Sequence, residues 1–134
     1  MEYKQLADKA VEAKGRALPT YSKFHVGAAL LTEDGKVYLG GNIETSSYGL
    51  TICAERTAVF KAISEGERKF KAIAIASDAP GFCPPCGACR QVMQDLCGNI
   101  DVIMINHKGE LDVKKIDELL PYAFKDEDLE SAKK

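Results

Sequence analysis

The chain has 134 residues, a length that one domain with its own core fills, and 46% of them are apolar, so no disulfide or metal staple is required for folding. Its 18 basic residues are balanced by 20 acidic ones, for a net charge of -2. A chain without cationic excess is poorly suited to neutralising a phosphate backbone, which argues against a nucleic-acid partner. No apolar run approaches the roughly 20 residues of a membrane helix, and Met1–Leu6 carry no signal-peptide core. We therefore expect a cytoplasmic protein without membrane association, whose five cysteines stay reduced and serve metal or redox chemistry.

Leu6, Ala7, Ala10 and Val11 have helical spacing that continues to about Arg16, with Pro19 as the stop. Val26–Leu31 and Val37–Leu39 are short apolar runs on either side of Asp34-Gly35, a two-residue hairpin signal. A polar loop, 40–48, leads to a helix over Cys53–Ile63 with Gly66 near its end. Phe70–Ala76 reads as a third strand and 78–85 as a Pro- and Gly-containing loop. A second central helix spans Gly87–Leu96 and is closed by Gly98. A fourth strand over Ile100–Ile105 turns at 106–109 into a short fifth strand near Leu111, and Ile116–Leu120 is a last helical stretch. Strands that alternate with helices in this order predict a layered α/β domain with a mixed sheet. Residues 1–134 read as one domain, with about 126–134 as a C-terminal tail.

The chemistry concentrates in Cys83-Pro84-Pro85-Cys86-Gly87-Ala88-Cys89-Arg90, which holds two overlapping Cys-x-x-Cys pairs. Cys83 with Cys86 resembles a thiol–disulfide exchange site. Cys86 with Cys89 falls at a helix start, where residues three apart share a face and the N-terminal N–H groups favour thiolates. We prefer Cys86 and Cys89 as a metal pair, with Cys53, at the start of the other helix, as the third ligand. Cys97 lies eleven positions beyond Cys86 on the same helix, roughly 16 Å away, too far to share an ion. Three protein ligands with one position left for water is the catalytic arrangement of zinc. Glu55, two residues after Cys53, suits a general acid–base role beside a metal-activated water, and Arg56 can offset the thiolate charge.

Cys53-Ala54-Glu55-Arg56-Thr57-Ala58, followed by Pro85-Cys86-Gly87-Ala88-Cys89-Arg90-Gln91, resembles the compact zinc-dependent cytidine deaminases with three cysteine ligands. Tyr21-Ser22-Lys23-Phe24, Val26-Gly27-Ala28-Ala29-Leu30 and Gly41-Asn42-Ile43-Glu44 look like that family in the same order, so the resemblance covers roughly residues 5 to 125. It implies a three-layer α-β-α sandwich around a five-stranded mixed sheet. It also implies one Zn²⁺ per chain and hydrolysis of cytidine and deoxycytidine to uridine and deoxyuridine with release of ammonia, a step of pyrimidine salvage. Phe24 would pack on the pyrimidine, and Asn42 and Glu44, with Ile43 between them, would form the ribose-binding segment. The Ala54 N–H would hold the base O2, and Glu55 would carry protons to N3 and then to the departing amino group. Members of the family are homotetramers with shared sites, and Phe124 and Tyr48 match positions borrowed across interfaces.

Cys83, His25 and Ser46-Ser47 depart from the commonest family residues. Three rival readings remain at this level. A deaminase acting on a larger or different substrate keeps the same chemistry. A structural zinc module predicts a fourth protein ligand and no use for Glu55. A redox protein would use Cys83 and Cys86.

Overall fold

A computed structural model describes residues 1–132, with side-chain surroundings to residue 129. Helix α1 spans Tyr3–Ala13 and runs into a 3₁₀ turn at Lys14–Arg16. Strands β1 (Val26–Thr32) and β2 (Val37–Gly41) form the expected hairpin. Helix α2 (Ala54–Ser64), strand β3 (Phe70–Ser77) and helix α3 (Gly87–Cys97) follow. Strands β4 (Asp101–Ile105) and β5 (Leu111–Lys115) then lead into the short helix α4 (Ile116–Leu119).

The five strands make one sheet in the order β2-β1-β3-β4-β5. Only the β3–β4 pair is parallel; β1–β2, β1–β3 and β4–β5 are antiparallel. The parallel pair needs a crossover, and α3 supplies it. Successive strand residues face opposite sides, which splits the core in two. Ala28, Leu30, Ile73, Ile75, Val102 and Met104 pack under α2 and α3, whereas Ala29, Leu31, Ala72, Ala74, Ile103 and Ile105 pack under α1. The sheet is buried on both faces, which explains why its central strands read as continuous apolar runs. This is the layered α/β domain with a mixed sheet that the sequence predicts, in the three-layer α-β-α form that the family resemblance implies.

Close approach of α2 to the sheet depends on Gly40. A Cβ built there would lie 2.6 Å from the Ala54 carbonyl oxygen and 2.6 Å from the Ala58 nitrogen. The missing side chain lets the first turn of α2, with Cys53 and Glu55, sit directly against β2.

Two expectations need correction. Leu31 pairs with Val37, so the hairpin turn is wider than two residues; Gly35, at φ 93°, follows a turn closed by its N–H on the Thr32 carbonyl. Residues Asp126–Ala132, expected as tail, form helix α5, and its first turn carries Asp126, Glu127 and Asp128, charges that favour a helix start. Positions 133 and 134 of that tail lie outside the described residues.

Candidate active site

Two helix N-termini converge at one end of the sheet. Cys53 is the N-cap residue of α2 and Cys86 that of α3, while Cys89 sits in the first turn of α3. The Cys53 and Cys86 sulfurs are 3.8 Å apart, and all three Sγ atoms lie within 4.8 Å of one another. Zinc–sulfur bonds of about 2.3 Å at tetrahedral angles separate thiolates by roughly 3.8 Å, so this cluster has the spacing and the donor chemistry to hold zinc. Among the described residues the group contains three ligands and no fourth. Cys83 is half-buried beside the core and does not join it; burial pushes its thiol pKa upward. Cys97 is likewise half-buried at the far end of α3, with a thiol pushed up to about 12 by burial.

The three thiols are not equivalent. A hydrogen bond from Cys89, with further help from Arg56 and Cys86, lowers the Cys53 thiol to about 5. Cys89 is pushed upward by its bond to Cys53 and by burial. The Arg56 Nη2 donates to that sulfur at 3.3 Å, a contact that raises the guanidinium pKa further. The Arg56 Nε is buried without a partner among the described residues. Arg56, three residues after Cys53, thus meets its sulfur in a direct contact.

Glu55 is only 5% exposed. Burial, then the charge on Cys53, raises its carboxyl to about 7. Ala54 opens α2, so its N–H belongs to the group of donors that a helix cannot satisfy internally.

A loop, 17–25, is held by the segment Asn42-Ile43-Glu44, which itself pairs with Ile52, the residue before Cys53. Asn42 is 7% exposed; its Oδ1 accepts from the Val26 N–H at 2.8 Å and its Nδ2 donates to the Phe24 carbonyl at 2.9 Å. Ile43 exchanges two backbone bonds with Ile52, at 2.9 and 3.0 Å. The Glu44 carboxylate accepts the N–H groups of Tyr21 and Ser22 at 2.9 and 2.8 Å, as well as the Ser22 hydroxyl. These bonds, led by those from Ser22, hold the Glu44 carboxyl below its usual range. Glu44 and Tyr48 also line one open cavity of about 410 Å³ with Tyr21, Ser22 and Thr51. Phe24 remains 38% exposed and Tyr48 is 72% exposed, edge-on to Tyr21 at 5.5 Å.

Phe124 is 57% exposed and lines a separate open cavity of about 710 Å³ with Leu120, Pro121 and Tyr122, its carbonyl held by Gln91 Nε2 at 2.8 Å. One brace was not read from the sequence. Arg90 donates to the Pro85 and Leu119 carbonyls, each at 2.7 Å, and so ties the approach to Cys86 to α4. Its position next to Cys89 was the available signal, but its acceptors are backbone carbonyls that no motif reveals.

Comparison with known proteins agrees with this geometry. The family model for the cytidine and deoxycytidylate deaminase zinc-binding region matches residues 1–105. The chain belongs to the cytidine deaminase family. A cytidine deaminase of Sporosarcina psychrophila is 50% identical to this deaminase over 133 residues, covering 98% of both chains. One from Halalkalibacterium halodurans is 51% identical over 130 residues, covering 96% of this chain and 98% of the other. The crystal structure of the Burkholderia pseudomallei cytidine deaminase superposes with a TM-score of 0.89 at 46% identity, covering 92% of this chain and all 100% of that one. The deaminase is therefore a zinc enzyme of known fold, and its three-cysteine cluster is able to hold the ion. Among the described residues no helix is long and apolar enough to cross a membrane.

Proposed function

We propose that this chain hydrolyses cytidine and deoxycytidine to uridine and deoxyuridine plus ammonia, with Cys53, Cys86 and Cys89 as zinc ligands and Glu55 as proton shuttle. The observation that carries the reading is a buried carboxylate two residues after Cys53, the first member of a three-thiol cluster with no fourth ligand among the described residues. Zinc bound there supplies Lewis acidity that makes water nucleophilic near neutral pH. Phe24 forms a wall for the pyrimidine, the Ala54 N–H holds O2, and Asn42-Ile43-Glu44 receives the ribose. Water adds at C4 while Glu55 takes one of its protons and places it on N3. Glu55 then carries the remaining hydroxyl proton to the amino group, the C4–N bond breaks, and ammonia leaves. Glu55 ends as it began, and water plus cytidine balance uridine plus ammonia.

The Arg56 contact with Cys53 offsets part of the negative charge that three thiolates bring to the centre. A homotetramer in which Phe124 and Tyr48 complete a neighbour's site gives both exposed rings an apolar setting. Residues 1–134 act as one deaminase domain, because a single sheet supports both core layers. Thiol ligands require a reducing compartment, which the cytoplasm provides.

The test is incubation of zinc-loaded protein with cytidine, following nucleoside absorbance together with ammonia. Turnover that vanishes in Glu55→Gln, with zinc and fold retained, supports the assignment. A Glu55→Gln variant of full activity overturns the shuttle, and zinc-loaded wild type without turnover overturns the substrate.

A further inference from the structure

The loop bearing Phe24 is held on both sides of a strained residue. Lys23, just before Phe24, has φ 61°, a left-handed conformation that costs a non-glycine residue about 1 kcal/mol or more. Upstream of it, Glu44 grips Tyr21 and Ser22. Downstream, Asn42 grips Phe24 and Val26. A third grip comes from Asp78, the residue that follows β3 and begins the loop toward Cys83 and Cys86.

Asp78 is tied to His25 three times. Its Oδ2 accepts from the His25 backbone N–H at 2.7 Å and lies 2.7 Å from the ring Nδ1. Its own N–H donates to the His25 carbonyl at 3.1 Å. The Lys14 ammonium stands 3.6 Å from the other carboxylate oxygen and donates to the Ser77 carbonyl at 3.4 Å, fixing the carboxylate from the α1 side. The bonds to His25 also hold the Asp78 carboxyl below its usual range. A carboxylate that locks the residue after Phe24 fixes where the ring points, because backbone direction sets the Cβ vector. It joins that ring to the segment leading to the metal cysteines.

We infer that Asp78 is a positioning residue for substrate, holding Phe24 through His25 so that the pyrimidine meets a preformed wall. This rests on the proposed role of Phe24. Asp78 itself touches neither the reacting atoms nor the cysteine cluster. An aromatic wall contacts ground state and transition state alike, so its loss raises KM and spares kcat.

The experiment compares Asp78→Ala and Asp78→Asn with wild type as zinc-loaded full-length chains. It reads KM and kcat for cytidine, zinc content, and amide hydrogen exchange at Phe24, His25 and Val26. In Asp78→Ala we expect KM to rise about tenfold with kcat within about twofold, the scale of losing a charge-assisted hydrogen bond. We expect unchanged zinc and roughly tenfold faster exchange at His25 on the same scale. Asp78→Asn keeps an acceptor for both His25 donors and restores most of the affinity and the slow exchange. Exchange unchanged in Asp78→Ala overturns the inference whichever substrate the enzyme takes. Faster exchange with unchanged KM, or an equal fall in kcat and zinc, also overturns it. Wild type inactive on cytidine refutes the functional reading instead, and the exchange comparison still decides the positioning role.

Discussion

Asn42→Ala tests how strongly the loop that carries the substrate wall is held. Asn42 makes two bonds to the backbone on either side of His25, to Phe24 at 2.9 Å and Val26 at 2.8 Å. Truncation leaves the Val26 N–H without its acceptor in a part-buried strand end, at about 1–3 kcal/mol. The Phe24 carbonyl lies closer to solvent and recovers water, so its loss is about 0.5–1.5 kcal/mol. Together the variant should lose about 1.5–4.5 kcal/mol. With a slope near 2 kcal/mol/M, the urea midpoint should fall by roughly 0.8–2.2 M with the slope unchanged. Measurements should share one protein concentration, because subunit association shifts apparent stability. Asn42→Asp keeps the acceptor for Val26 but sets a carboxylate oxygen against the Phe24 carbonyl, so at neutral pH it should be no more stable than Asn42→Ala. A midpoint shift below about 0.3 M for Asn42→Ala would show that these bonds do not hold the loop, and the account of the substrate wall would fail with them.

Gly40→Ala should displace the first turn of α2, since its Cβ would meet backbone at 2.6 Å. Zinc content and stability should fall together, by about 1–3 kcal/mol for the latter; a fully loaded, equally stable variant would contradict the packing argument. Chelation of zinc should lower the melting temperature of wild type reversibly, while Cys89→Ala should show neither the zinc nor the chelator response. Acid stability should depend on Asp101, whose carboxyl is held low by Lys115 and by the Tyr3 hydroxyl. A lowered carboxyl contributes stability above its unfolded pKa, near 4, and loses it as pH falls through the folded value; Asp101→Asn should therefore flatten the acid limb of melting temperature against pH. Tyr3 has the opposite sign: burial and the bond to Asp101 raise it to about 12, so its contribution is complete below pH 10 and disappears as pH rises toward about 12. Tyr3→Phe should lose that alkaline dependence.

Much of the fold is readable because its signals are local. Helix starts at Cys53 and Cys86, the closing Gly98 and the apolar runs of β1 and β3 each lie within a few residues of what they specify. Cys53 and Cys86 are 33 positions apart, yet both sit at helix starts, so the pattern itself suggests their meeting. The loop bonds were not legible. Asn42 reaches back 16 and 18 positions, and Asp78 reaches 53 to His25, with nothing in the spacing to announce either contact. The width of the hairpin turn was missed for a similar reason. Asp34-Gly35 favours a tight turn, but strand register, set by burial on both faces, decides how many residues are left over. Helix α5 escaped because an acidic run without an apolar stripe reads as solvated tail.

Conversion of cytidine in heavy-oxygen water, with product analysed by mass and ammonia counted alongside, tests hydrolytic deamination most directly. The account predicts that zinc-loaded enzyme yields uridine carrying one solvent oxygen at C4 and one ammonia per uridine, and that Glu55→Gln yields neither. Uridine without the label, or a fully zinc-loaded enzyme that releases no ammonia, would contradict it.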